Sequence, residues 1–240
     1  MGLDYASVNF RFTKCLFKTL ITDKNLLVHL RPMLKLKDYS AIIFDLGGVI
    51  INLDYQATVR EFKRLGLKNF EAVFSKAQQA ELADRFERGE INPDHFFEEI
   101  SRIGCLTNSR KELENAWNAM LLDIPIERLE LIEEIRKKIP VFLLSNTNLT
   151  HTLAYNRILE NTTGKTSLNP WFNKIYLSYE VGKRKPEARI FQQVIDDNGL
   201  NPSSTLFIDD SPQHIVGARQ VGLQTHHLED GQDIRNLFFL

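Results

Sequence analysis

Ala41-Ile42-Ile43-Phe44-Asp45-Leu46-Gly47-Gly48-Val49-Ile50 is the stretch that decides the fold. An apolar run meets a carboxylate and then turns at two glycines. Such a run, bounded by glycine, predicts a strand buried on both faces, as at the centre of a parallel sheet. An aspartate at its carboxyl end stands where open α/β sheets place their ligands. Working outward, three more strand-like segments lie at 139–144, 174–178 and 205–208, the one at 174–178 less apolar than its neighbours. Helical patterns include 126–138, 186–198 and 214–221. Strands alternating with helices predict an α/β fold with a parallel sheet flanked by helices.

Between the first two strands the pattern changes. From about 55 to 123 the chain reads as consecutive amphipathic helices, punctuated by Gly66, Gly89, Pro93 and Gly104. The expected organisation is an extension over 1–35, a core made of 36–54 and 125–240, and an inserted all-helical cap over 55–124. The extension is basic and acid-poor, a weak likeness to an organelle transit peptide. A disordered or adventitious tail is the blander alternative and the preferred one.

Composition bounds the function. The chain has 240 residues, 43% apolar and 25% charged, with a formal net charge of −1. That balance gives no reason to expect nucleic acid or an anionic membrane as partner. No apolar run reaches the ~18 residues that a membrane span needs. Cys15 and Cys105 are far apart and lack metal-ligand spacing, which predicts reduced thiols and a cytoplasmic protein.

Each strand is followed by a polar cluster: Asp45 with Gly47 and Gly48, then Ser145-Asn146-Thr147-Asn148, then Lys183-Arg184-Lys185-Pro186, then Asp209-Asp210-Ser211. Parallel strands share a direction, so these clusters gather at one edge of the sheet. Each has a part in phosphoryl transfer. A carboxylate can attack phosphorus and split a difficult hydrolysis into two steps. Magnesium held by Asp45, Asp209 and Asp210 would let that carboxylate approach a dianion. Lys185 adds a second positive charge. Ser145, Asn146 and the amides of the Gly47-Gly48 turn can donate to phosphoryl oxygens. Taken singly, these residues read as strand caps, turn residues and an acid-rich helix start. Their order and their placement at strand ends carry the functional interpretation.

The order Asp45, Ser145, Lys185, Asp209-Asp210 resembles the four motifs of the haloacid dehalogenase superfamily, over roughly residues 41–230. Within it, the chain looks most like the group of the bacterial α-D-glucose-1-phosphate phosphatase, which also has Asp-Leu-Gly in its first motif. The resemblance implies a Rossmann-like core with a helical cap of C1 type, magnesium dependence and an aspartyl-phosphate intermediate. It implies that Asp45 is nucleophile and metal ligand, with the Gly47 carbonyl and Asp210 as further ligands and Asp209 acting through water. By the same resemblance Ser145 and Asn146 bind phosphate and Lys185 steadies nucleophile and phosphate. His214 stands where many relatives carry Asn.

Gly47 is the main departure, because an acid there normally protonates the leaving oxygen. Its loss would cost on the order of 10²–10⁴-fold in rate for poor leaving groups. Asp54 is the candidate substitute, with water or a substrate hydroxyl as others. In the cap, the charged segment Arg85-Phe86-Glu87-Arg88-Gly89-Glu90 is the candidate substrate reader, with Arg88 as its chosen residue. His151 reads as a surface histidine and Trp117 as cap core. The expected activity is hydrolysis of a small phosphate ester, a sugar phosphate such as glucose 1-phosphate. The alternatives are a catalytically weak binding or regulatory protein and a 2-haloacid dehalogenase. Oligomeric state has no signal in the sequence.

Overall fold

The computed structural model describes residues 33–67 and 77–239. The expected extension lies, up to residue 32, outside the described residues, as does Cys15. The body from Lys35 to Phe238 is built on a sheet of five strands: β1 (Ala41–Phe44), β2 (Val141–Ser145), β3 (Lys174–Leu177), β4 (Thr205–Asp209) and β5 (Gln224–His227). Their order is β3-β2-β1-β4-β5 and every pairing is parallel. The strand that opened the sequence argument is therefore central. Register places Phe44 opposite Leu143 on one side and Ile208 on the other, so the residues that follow emerge side by side.

Four of these strands coincide with the expected segments, while β5 had no counterpart in the sequence reading. Gln-Thr-His-His carries no apolar run, and its residues are half-buried or exposed because it lies at the sheet edge. Central strands instead need apolar side chains on both faces. Ala41, Ile43, Phe142, Leu144 and Phe207 pack with Ile190 and Phe191 of helix α8 (Ala188–Asn198) and Ile215 of helix α9 (Pro212–Gln220). Ile42 and Phe44 point to the other face by strand alternation and are equally buried.

The interruption between β1 and β2 is helical. It contains α1 (Tyr55–Arg64), α2 (Ala77–Glu87), α3 (Pro93–Gly104) and α4 (Arg110–Asn118). Start signals are visible at three of them. Asp54 caps α1, Asn92 caps α3 with Pro93 behind it, and Ser109 with Glu112 makes a reciprocal capping box on α4. These helices share their own apolar cluster, in which Phe86 stacks on Phe96 at 4.1 Å and Trp117 meets Phe96 edge-on at 4.8 Å. The two passages joining this segment to the sheet pair with each other. Asn52 donates its amide to the Asp123 carbonyl, Leu122 donates back to Asn52, and Asp54 donates to Met120. No described helix is long and apolar enough to cross a membrane.

After the insertion come α5 (Ile126–Arg136), α6 (Leu149–Thr163) and the single turn α7 (Ser178–Val181). Arg128 at the start of α5 is buried. It donates to the Ile50 carbonyl at 3.1 Å and pairs with Asp233 at 2.9 Å, tying the loop after β1 to the C-terminal segment. Burial raises the Asp233 carboxyl, but hydrogen bonds from Arg235 and Arg128 outweigh that and hold it at about 2. A carboxyl held below its unfolded value of ~3.9 adds stability above that value and loses it as pH falls toward the folded one. Urea unfolding of the wild type between pH 5 and pH 2 should therefore show declining stability in which Asp233 takes part. Asp233→Asn should flatten that decline and, by leaving Arg128 buried and unpaired, lower stability at pH 7 by about 1–3 kcal/mol. An unchanged profile would show that the pair contributes nothing.

Candidate active site

The carboxyl ends of the strands gather as expected. Asp45 follows β1 directly, and its N–H donates to the Ile208 carbonyl at 2.9 Å. Ser145 ends β2, Asp209 ends β4 with Asp210 next, and Lys185 arrives on the loop between α7 and α8. Lys185 is wholly buried. Its Nζ donates to Asp45 Oδ1 at 2.6 Å and to Asp209 Oδ2 at 2.7 Å. The Asn146 side chain holds the main chain of Lys185 from both sides. Its Oδ1 accepts the Lys185 N–H and its Nδ2 donates to the Lys185 carbonyl, each at 2.9 Å. The Asn146 amide, expected to donate to phosphate, is thus engaged in placing the lysine. Ser145 is buried, and its hydroxyl reaches only the Asn146 carbonyl, at 3.4 Å.

Burial pushes the Asp45 carboxyl up to about 7, against the pull of Lys185 and with Asp209 adding to the rise. Burial and the neighbouring Asp209 raise Asp210 as well. Asp209 itself is drawn below the usual range, because Lys185 and His214 outweigh its burial. His214 Nδ1 lies 3.0 Å from both Asp209 oxygens. Asp45, Asp209 and Asp210 each offer an oxygen within 4.8 Å of the others. Lys185 thus pairs with two of three neighbouring carboxylates, Asp45 and Asp209, and not with Asp210. A hard divalent cation with oxygen ligands fits that surplus of negative charge.

Gly48 has φ 71°, and a Cβ there would collide with the Asp210 carboxylate. Glycine lets Asp210 approach the turn. Its N–H donates to the Ile51 carbonyl at 2.8 Å, so the amide expected to bind phosphate is taken up within the loop. Gly47 lines the cleft beside Asp45.

The cleft has a volume of about 280 Å³, room for a metabolite-sized ester. Asp45, Ser145, Asn146, Arg184, Asp210 and His214 line it from the sheet side, and Tyr55, Glu87 and Trp117 from the inserted helices. Asp54 is not brought to it. The Asp54 carboxylate caps α1 through the Gln56 N–H and pairs with Arg60 at 2.6 Å, which hold its carboxyl low. Arg88 is also turned elsewhere, to Asp84 at 2.8 Å and to Glu187. One residue along a helix rotates a side chain by ~100°, and Glu87 is the member of that segment that reaches the cleft. Sequence reasoning singled out the segment but not its phase.

His151, expected at the surface, stacks on Trp117 with ring centres 5.2 Å apart, and both line the cleft. Burial depresses its imidazole to about 4, so it is neutral at physiological pH. Trp117 does join the cap cluster, as expected, while presenting to the cleft as well. Tyr55 and Arg184 had no place in the expected set. Their signal was adjacency, Tyr55 to the first motif's exit and Arg184 to Lys185.

The inserted helices dock on the sheet domain through charge. Arg184 reaches Asp84 at 2.6 Å and Glu87 at 2.8 Å, and Arg88 reaches Glu187. Gly89, at φ 70°, lies so close to the Tyr179 carbonyl that a Cβ would collide with it.

Known proteins share this arrangement. The profile of the haloacid dehalogenase-like hydrolases matches residues 39–222. A D-ribitol-5-phosphate phosphatase from Bacteroides thetaiotaomicron is 32% identical over 194 residues, 81% of this chain and 94% of that one. The crystal structure of a haloacid dehalogenase-family enzyme from the same organism aligns with a TM-score of 0.77 at 36% identity, covering 83% of this chain and 98% of that one. The same enzyme has been solved with magnesium and inorganic phosphate, aligning at 0.72 and covering 82% and 97%. With its strand order, its four polar strand ends and these relatives, the chain belongs to the haloacid dehalogenase-like hydrolases, as an enzyme of their phosphatase branch.

Proposed function

We propose that the chain hydrolyses phosphoric monoesters of small polyhydroxylated metabolites, through an aspartyl-phosphate at Asp45 and with magnesium as cofactor. The observation that carries the proposal is the bridge of Lys185 Nζ between Asp45 and Asp209 at the strand ends. In this proposal residues 55–124 are the cap, and 36–54 with 125–240 the catalytic core.

Magnesium, held by Asp45, Asp210 and the Gly47 carbonyl with Asp209 as a further acid, supplies the charge that lets a carboxylate meet a phosphate dianion. Lys185 orients the Asp45 carboxylate and faces the charge that builds on the phosphoryl group. Asp45 attacks phosphorus as the bond to the alcohol oxygen breaks, and the alcohol departs with a proton. Water then attacks phosphorus, releasing inorganic phosphate and restoring the carboxylate. Ser145 and the backbone of Asn146 face the phosphoryl oxygens. With glycine at 47 and Asp54 engaged with Arg60, water or a substrate hydroxyl supplies the departing proton.

Substrate chemistry follows the relatives in part. The similar Bacteroides enzyme acts on D-ribitol 5-phosphate, a sugar-alcohol phosphate. That supports an open-chain polyol ester at least as well as the glucose 1-phosphate expected from the sequence, and the two are the substrates to compare first. Cys105 is a free, exposed thiol, in keeping with action in a reducing cytoplasm.

Asp45→Asn should lower kcat on the better of these esters on the order of 10³-fold or more, with circular dichroism unchanged. Wild-type activity in the folded variant would refute the nucleophile assignment. Excess chelator should abolish turnover and added magnesium restore it. Magnesium should also raise the Tm of the wild type, as any ligand of the native state does, but not that of Asp210→Ala. Equal Tm gains in both proteins would remove Asp210 from the metal site.

A further inference from the structure

Nothing at the phosphate end of the cleft distinguishes one alcohol from another. Asp45, Lys185 and the neighbouring acids meet only the phosphoryl group. The remaining wall mixes apolar side chains, among them Ile51, Leu53, Met120 and Leu121, with uncharged polar ones such as Tyr55 and Gln213. Apart from Asp45 and Asp210, the charged residues lining it are Glu87, from the inserted helices, and Arg184, from the core. We propose that Glu87 and Arg184 form the subsite that reads the hydroxyl groups of the substrate's alcohol part. The assignment rests on the phosphatase function proposed above and adds the residues that set its specificity.

The pair has the chemistry of a diol receptor. Arg184 is fixed by Asp84 on Nη1 and Glu87 on Nη2, at 2.6 and 2.8 Å. Its Nε is shut off from solvent and makes no hydrogen bond. A carboxylate offers about four acceptor positions, and the contact with Arg184 occupies one on Glu87. A hydroxyl both donates and accepts, so neighbouring hydroxyls can donate to Glu87 while accepting from Arg184. An alkyl chain without hydroxyls would leave the remaining hydrogen-bonding positions of both groups shielded and unfilled, which is the arrangement that rejects an analogue most strongly. A second anionic group on the substrate would be repelled by Glu87. Position supports the assignment as well. Arg184 directly precedes Lys185, and Glu87 ends α2 just before the close approach of Gly89 to Tyr179. Docking of the cap therefore brings the reader to the site.

The pair also helps dock the cap, and the test must separate the two roles. D-ribitol 5-phosphate and n-pentyl phosphate have the same carbon count and differ in the hydroxyls. For both esters, kcat/KM is measured for the wild type, Glu87→Gln and Glu187→Gln, since Glu187 pairs with Arg88 of the inserted helices without lining the cleft. The wild type should prefer the hydroxylated ester. Glu87→Gln should lower kcat/KM for that ester about 10–100-fold, the scale of a hydrogen bond to a charged group, and move pentyl phosphate by less than about threefold. Glu187→Gln, which touches docking alone, should change both by a similar factor. Equal losses on both esters in Glu87→Gln, or none on either, would overturn the subsite. So would a wild type active on both without preference. A wild type inert toward every phosphate ester would instead overturn the proposed function, and the subsite with it.

Discussion

A buried ammonium between two carboxylates is the interaction on which the rest of this structure depends. Lys185 has no exposure, and Asp45 and Asp209 close over it at 2.6 and 2.7 Å. A buried charge without partners is costly, and removing one member of such a group leaves the others uncompensated. The surroundings are accordingly built to hold the lysine. The Asn146 amide grips its main chain on both sides, Phe207 lies beneath its head, and the register of β1 on β4 brings its two acids level. The same interaction orients Asp45 and leaves a surplus of negative charge for a metal to balance. Stability and chemistry here draw on one set of contacts.

The cap depends on a second, more exposed set. Its helices have their own apolar cluster, and the links to the core described here are the paired passages around Asn52 and Asp123 and the ion pairs of Asp84, Glu87 and Arg88 with Arg184 and Glu187. These charged contacts are partly shielded from water, so salt screens them less than it would exposed pairs. They fix the inserted helices on the core, whereas the buried lysine bridge fixes the residues at the strand ends. Arg184 and Lys185 are consecutive, so the residue that pairs with the inserted helices adjoins the residue that holds Asp45.

Legibility in the sequence followed physical cause. The buried central strands announce themselves because both faces need apolar side chains, and Asp45, Ser145 and Asp209-Asp210 stand out because each ends or directly follows such a strand. Lys185 comes from the loop beyond the edge strand β3 and the turn α7. β5 was hidden because an edge strand of Gln-Thr-His-His has no apolar run to reveal it. Helix phase hid the choice between Glu87 and Arg88, since a segment without a fixed register cannot say which neighbour faces inward. Asp54 looked available, but an aspartate before a helix is equally a cap, and Arg60 one turn on completes that role. Gly48 was noted for its amide, yet its use is steric, to admit Asp210.

The central claim is that Asp45, held by Lys185, becomes covalently phosphorylated. Trapping the wild-type enzyme during turnover with borohydride, which reduces an acyl phosphate to the alcohol, and mapping the product by mass spectrometry tests it most directly. The account predicts homoserine at position 45 and at no other acid of the cluster, dependent on substrate. Reduction at Asp209 or Asp210 instead, or steady phosphate release with position 45 unmodified, would contradict it.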